Sequence, residues 1–87
     1  MRAVDAGNVR FTISGRHFNL SREQVEKALA RVEPEPTKLH AVQIGRHMFP
    51  VKQALSHVTG LDRLDFHSTD ARRVFRRLGF KLMRAAE

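Results

Sequence analysis

Apolar residues recur with the period of an amphipathic α-helix in the stretch 68–80, S-T-D-A-R-R-V-F-R-R-L-G-F. Ala71, Val74, Phe75 and Leu78 follow the i, i+3, i+4, i+7 spacing that places side chains on one stripe of a helix. At about 100° per residue, the arginines of this stretch fall on the opposite half of the helix. The pattern therefore predicts a short helix that packs through its apolar stripe and presents four guanidinium groups, those of Arg72, Arg73, Arg76 and Arg77.

The ends of this helix carry recognisable signals. Ser68 is the predicted N-cap, and Asp70 places a negative charge in the first turn, where it complements the helix dipole. Gly79 follows the last apolar position, where a residue in the left-handed conformation commonly closes a helix.

A first helix is predicted from Leu20 to Val32. Ser21 followed three residues later by Gln24 forms a capping box, and an apolar stripe follows. The stripe consists of Val25, Ala28, Leu29 and Val32. The remaining positions mix acidic and basic residues, which is typical of a solvated face, so this helix is interpreted as a packing helix.

A second helix is predicted after Pro50, a residue favoured in the first turn. Its apolar stripe is Val51, Ala54, Leu55 and Val58, and its predicted outward positions are Lys52, Gln53, Ser56 and His57. Gly60 ends it, and a connector over 61–67 follows, in which Leu61, Leu64 and Phe66 are expected to enter the core.

Alternating patterns predict short strands around these helices. One strand covers residues 9–13 with a return strand at 17–20, residues 39–49 form a hairpin that turns at Gly45-Arg46, and residues 80–84 form a final strand. Pro34 and Pro36 forbid a helix between the first two helices and mark the only internal seam.

These elements predict one α+β domain over residues 1–87, small and winged-helix-like, with three helices, a β-hairpin and short edge strands. Residues 1–36 form a strand–helix unit and residues 37–87 form a basic hairpin–helix–helix–strand unit. In such an arrangement the last helix enters the major groove of DNA while a neighbouring hairpin contacts the backbone.

Charge points to the partner. The chain carries a formal charge of +7, of which residues 1–36 contribute +1 and residues 37–87 contribute +6. Twelve of the sixteen basic residues are arginines, which suit bidentate recognition of phosphates and base edges, although a GC-rich genome yields the same bias. Clustered positive charge is the electrostatic footprint of nucleic-acid binding.

Double-stranded DNA is the expected partner, with the residues near the start of the arginine-rich helix reading bases and the others holding phosphates. The six phenylalanines fall mostly at core positions, which favours duplex DNA over the base stacking of single strands. The predicted contact residues are Arg46, Lys52, Arg63, His67, Ser68, Thr69, Arg72, Arg73, Arg76, Arg77, Lys81 and Arg84.

Catalysis and metal binding have little support in the sequence. There is no cysteine, the five histidines lack ligand spacing such as H-x-x-x-H, and no Walker A, G-x-S-x-G or paired-carboxylate motif occurs. We therefore expect a protein that is not an enzyme and needs no cofactor or metal. No apolar run approaches the length of a membrane span and no signal peptide opens the chain, so the expected location is the bacterial cytoplasm, in association with the nucleoid.

Residues 44–80 carry a Gly-containing hairpin, a Pro-x-Lys helix start, a T-G turn, a D-F-x-S/T segment before a helix and a closing L-G-F. This module resembles short standalone winged-helix-like DNA-binding proteins of actinobacteria and, more loosely, the N-terminal parts of McrA-type modification-dependent HNH endonucleases. The resemblance implies duplex DNA binding, with a preference for modified bases such as 5-methylcytosine. The chain lacks any nuclease motif, so it would read DNA without cutting it.

Two other functions remain open at this stage. One is an RNA-binding or ribosome-associated protein, because net charge does not separate RNA from DNA. The other is a protein-interaction module whose basic face docks an acidic partner. The target sequence, a role in transcription and the oligomeric state are not determined by the sequence.

Overall fold

The computed structural model describes residues 8–36 and 39–84. The strands are β1 (Asn8–Ile13), β2 (Arg16–Ser21), β3 (His40–Ile44), β4 (His47–Pro50) and β5 (Lys81–Arg84). The helices are α1 (Arg22–Leu29), α2 (Val51–Thr59) and α3 (Ser68–Arg77), with a 3₁₀ turn at Arg63–Asp65. The α+β architecture with three helices and β-hairpins is confirmed for these residues, and its arrangement is consistent with the winged-helix-like expectation.

Strands β1 and β2 form an antiparallel hairpin in which Ile13 pairs with Arg16. The two-residue turn between them, Ser14-Gly15, has positive φ angles of 52° and 75°, as a hairpin turn that follows the strand twist requires. On the face toward the core, the Phe11 and Phe18 rings stack with centroids 5.3 Å apart.

Helix α1 has the predicted capping box at Ser21, but it begins at Arg22 rather than Leu20 and ends early. The Ser21 side chain accepts a hydrogen bond from the Gln24 backbone N–H at 3.1 Å, and Gln24 Oε1 accepts one from the Ser21 N–H at 2.9 Å, so the capping box is confirmed. The predicted extension to Val32 is wrong, because the helix ends at Leu29 and the chain turns before Pro34. Ala28, which was expected on the buried stripe, is exposed.

The other three strands form one antiparallel sheet in the order β4-β3-β5. Val42 lies between Phe49 on one side and Leu82 on the other. This row belongs to the core face of the sheet, since Val42 and Phe49 are fully buried. The predicted hairpin and final strand are therefore confirmed, and β5 adds to the hairpin as its third strand.

One core joins the two halves of the chain. Val9 and Val25 from the N-terminal unit belong to the same cluster of buried side chains as Val42, Leu55 and Phe75. Helix α1 packs on α2, and α3 contacts α2, β1, β3 and β5. The basic helix is thus held on several sides by elements from the whole chain.

The connector between α2 and α3 is partly as predicted. Leu61 and Phe66 are buried, but Leu64 is 90% exposed, so its predicted burial is wrong. The reason is local: Asp62 Oδ1 accepts a hydrogen bond from the Leu64 backbone N–H at 2.8 Å and starts the 3₁₀ turn, which directs Leu64 to solvent.

The N-cap of α3 is His67, one residue before the predicted Ser68. Asp70 decides this start, because its Oδ2 accepts a hydrogen bond from the His67 backbone N–H at 3.0 Å. Ser68 is therefore the first helical residue. Gly79 follows with a φ of 87°, which confirms the predicted left-handed end of the helix.

Gln53 was predicted to face outward, but it is only 6% exposed. Its Nε2 donates to the Glu33 carbonyl at 2.9 Å, and its Oε1 accepts from the Glu35 backbone N–H at 2.9 Å. Both ends of the amide thus bind the Pro-rich connector, which the sequence pattern of α2 alone does not reveal. The connector is tied to α2 by this side chain.

Replacing Gln53 with methionine keeps most of the side-chain volume and removes both hydrogen bonds. We expect the free energy of unfolding to fall by about 1–3 kcal/mol, because two backbone groups of the connector lose their partner. Chemical denaturation followed by circular dichroism measures the change. Gln43→Met on the exposed side of β3 is the control and should shift stability by no more than about 0.5 kcal/mol. Equal losses in the two variants would contradict the tethering role of Gln53.

Candidate nucleic-acid interface

Helix α3 has the two faces that its sequence predicts. Ala71 and Phe75 are fully buried, and Val74 and Leu78 are each 4% exposed. The opposite stripe contains Thr69, Arg72, Arg73 and Arg76, of which Arg72 is half-buried and the others are exposed. We call these four residues the basic stripe of α3.

Within the described residues, the three arginines of the basic stripe have no acidic partner. Among residues 8–36 and 39–84, no hydrogen bond or ion pair joins Arg72, Arg73 or Arg76 to another side chain. Asp70, the one acid on the helix, uses its carboxylate at the helix start. The positive charge of the stripe is therefore not neutralised within this part of the structure.

Arg77 lies at the margin of the helix, beside the first hairpin. Its Nη1 donates a hydrogen bond to the carbonyl oxygen of Arg10 in β1 at 3.1 Å. This contact joins α3 to β1, so Arg77 has a structural partner that the other three arginines lack in the described part of the chain.

A shallow groove separates the starts of α2 and α3. Lys52 and Ser68 line it from the two helices, and His40 and Leu39 line it from the start of β3. The Lys52 ammonium lies 5.5 Å from the centroid of the Phe66 ring, which places the charge beside the start of α3. The structure thus brings together two predicted contact residues from different helices.

Arg63, at the far side of this groove, is already paired. Its Nη1 and Nη2 donate to the two carboxylate oxygens of Glu35 at 2.7 and 2.6 Å. This hydrogen bonding lowers the pKa of Glu35 and raises that of Arg63, while partial desolvation opposes both shifts. The predicted role of Arg63 in phosphate binding is thereby weakened, because its charge is balanced by an acid 28 positions away in sequence.

A second groove lies between α3 and β5. Arg72 borders it from the helix, and Arg84 and His40 border it from the paired strands β5 and β3. Desolvation lowers the pKa of His40, and the charges of Arg72 and Arg84 lower it further. His40 is not among the contact residues predicted from sequence, because only the pairing of β3 with β5 places it beside these arginines.

Of the remaining predicted contact residues, only some lie near the basic stripe and its two grooves. Arg46 lies in the β3–β4 turn and lines a cavity with Glu26 and Leu29 of α1. Lys81 is exposed on β5, but strand alternation puts it on the face opposite Arg84. His67 is exposed at the N-cap of α3, next to the basic stripe.

Arg22 is a further contact that sequence reasoning missed. Its guanidinium lies over the Phe80 ring, 4.2 Å from the centroid, and its Nη1 donates to the Leu78 carbonyl at 3.4 Å. This residue of α1 therefore covers the C-terminal end of α3. Its spacing within α1 carries no signal for such a contact.

Comparison with known proteins places the chain in a family. Residues 9–87 match the family model described as SCO5918-like. The chain belongs to the SCO5918-like family. The match includes all of α2, α3 and the three-stranded sheet, and therefore the whole surface described above. No curated protein and no solved structure matches the chain.

Two kinds of feature are absent from the described residues. No three His, Asp or Glu side chains in residues 8–36 and 39–84 are grouped so that they could hold a metal ion. None of the helices in that same part of the chain has the length and apolar character needed to cross a membrane.

The Glu35–Arg63 pair can be tested by titration. We expect the pKa of Glu35 to lie below its usual value of 4.5, so that the pair stabilises the fold above pH 4.5 and is lost as the pH falls through the lowered pKa. Carbon-13 NMR of the carboxyl group measures this pKa. Arg63→Gln should return it toward 4.5, whereas the control Lys52→Gln, in the same groove, should leave it low. An unchanged pKa in Arg63→Gln would contradict the pairing.

Proposed function

We propose that this protein binds double-stranded DNA through the basic stripe of α3. The observation that carries the proposal is the absence of any acidic partner for Arg72, Arg73 and Arg76 among residues 8–36 and 39–84. Three like charges on one rigid face repel one another, and a polyanion relieves this repulsion. Binding also releases counterions from DNA, which favours association at low salt.

The dimensions of α3 suit the major groove. An α-helix with its side chains is about 10–12 Å in diameter, and the major groove of B-form DNA is about 12 Å wide. The ten residues of α3 give it a length of about 15 Å along the groove. Thr69 and Arg73, nearer the helix start, would face base edges, while Arg76 would hold a phosphate. Lys52 and Arg84, which line two adjoining grooves that share His40, would meet the DNA backbone.

A nucleoid-associated or transcriptional role follows from such binding. The preference for 5-methylcytosine rests on the resemblance of residues 44–80 alone. Reading a methyl group in the major groove needs an apolar contact, and on the described basic stripe only Thr69 offers a methyl group. The proposal is therefore duplex DNA binding, with methylation as a variable of the experiment.

RNA is the second candidate ligand, because the same charge attracts both nucleic acids. The A-form major groove is too narrow for a helix to enter, so RNA binding by α3 would need another geometry. Competition between a DNA duplex and an RNA duplex of equal length separates the two. An acidic protein partner remains the third candidate and predicts no binding to either duplex.

Arg73→Ala and Arg76→Ala test the role of the basic stripe. We expect each to weaken duplex binding about tenfold, corresponding to about 1.4 kcal/mol for a lost charged contact. In Arg76→Ala, which removes the proposed phosphate contact, the slope of log K against log salt should also fall by about 0.9. Fluorescence anisotropy across a salt series, with CpG-methylated and unmethylated duplexes, measures both quantities.

Arg31→Ala is the control because it removes the same charge from the exposed turn after α1, away from the basic stripe. Arg63→Ala should also have a small effect, since that charge is balanced by Glu35. The thermal midpoints of Arg73→Ala and Arg76→Ala should match the parent because both side chains are exposed. If these two variants bind like Arg31→Ala, the proposed interface is wrong.

A further inference from the structure

Three cationic or potentially cationic side chains converge on the groove between α3 and β5. His40 and Arg84 are directly opposite each other across strands β3 and β5. Helix α3 packs against both strands and contributes Arg72. Leu82 and Met83 complete the walls of the groove, and no described residue contributes a carboxylate to its lining.

The arrangement is electrostatically unfavourable without a ligand. Desolvation disfavours protonation of the imidazole, and the two guanidinium groups add to this effect. Among residues 8–36 and 39–84 neither arginine forms an ion pair. The nearest acid in the neighbouring groove is Glu35, whose two carboxylate oxygens are occupied by Arg63. No described acidic group therefore compensates this cluster.

A phosphate group has the matching chemistry. Its oxygens accept charge-assisted hydrogen bonds from guanidinium groups and from a protonated imidazole. The groove has a volume of about 340 Å³ and is open to solvent along one side, so a phosphodiester attached to a chain can reach it. Strand β3, helix α3 and strand β5 thus each contribute one hydrogen-bond donor to the same groove.

We propose that His40, Arg72 and Arg84 together bind one phosphate of the DNA backbone, and that His40 takes up a proton when this phosphate binds. The proposal rests on the proposed function, because it assigns one backbone contact of the same interface. It places the flank of α3 that carries Arg72, together with β5, at the DNA backbone.

The proton uptake follows from the charges around His40. Desolvation favours the neutral ring in the free protein, and the charges of Arg72 on α3 and Arg84 on β5 favour it further. The adjoining groove adds Lys52 from α2 and the Arg63–Glu35 pair, whose charges cancel. A bound phosphate brings negative charge to the same position, so the imidazolium form becomes more favourable. Linkage then requires binding to tighten as the pH falls.

The test compares His40→Gln with His57→Gln, a control that removes an exposed histidine of α2. Anisotropy titrations of a 16-base-pair duplex are made with the full chain at several pH values from about 5.5 to 8, at constant ionic strength. For the parent and His57→Gln we expect affinity to increase with decreasing pH, by at most tenfold per pH unit, the limit for one proton. His40→Gln should lose most of this dependence.

An NMR titration of the His40 ring supplies a second measurement. Adding the duplex should raise the pKa of His40 in the parent, and the increase should be smaller in Arg84→Gln, which keeps the histidine. Inorganic phosphate is titrated in parallel as the free-ligand probe. His40→Gln replaces a half-buried side chain and Arg84→Gln an exposed one, so we expect both variants to fold. Circular dichroism verifies this.

The outcomes separate the two proposals. Duplex binding whose pH dependence survives in His40→Gln would overturn the phosphate site and leave the proposed function in place. If the protein does not bind the duplex but inorganic phosphate still raises the pKa of His40, both DNA proposals are overturned. The groove is then a site for free phosphate. If neither the duplex nor inorganic phosphate changes the pKa of His40, the proposed phosphate site is overturned for both ligands.

Discussion

The packing of α3 against the sheet and α2 is the contact on which the rest of the structure depends. Phe75 is fully buried and meets Phe80 edge to face, with ring centroids 6.0 Å apart. Ala71, also fully buried, lets the helix approach its neighbours closely. Burying a side chain such as Phe75 contributes about 1.5–3 kcal/mol, which holds the helix in a single orientation. The basic stripe therefore points to solvent on a rigid support.

The two charged helices differ in how their charges are compensated. In α1, Arg22 lies 3.7 Å from Glu26 and Lys27 lies 3.6 Å from Glu23, both at i, i+4 spacing. Such exposed pairs contribute little stability, but they leave α1 with a mixed surface that attracts neither sign strongly. Helix α3 has no such pairs on its basic stripe in the described structure. The contrast supports a packing role for α1 and a binding role for α3.

Local patterns were sufficient for most of the fold. The spacing of Ala71, Val74 and Phe75 predicted which face of α3 is buried, because i, i+3 and i+4 neighbours lie on one side of any α-helix. Ser21 with Gln24 predicted the start of α1 for the same reason, since a capping box closes within one turn. The hairpins followed from alternation and from glycine at the turns. The end of α1 and the exposure of Leu64 were missed, because turn hydrogen bonds outweighed the apolar pattern.

The sequence by itself determined that one helix concentrates arginines opposite an apolar stripe, because both properties depend only on residue spacing. Tertiary structure decided which of the predicted cationic side chains have a partner within the described residues. Arg63 is balanced by Glu35, Arg77 binds a carbonyl of β1, and His40 joins Arg72 and Arg84 although nothing in its own segment marks it. These partners are distant in sequence, and their positions depend on how strands pair and helices pack. Helical period acts over a few residues, whereas the electrostatic surroundings of a side chain are set by the whole core.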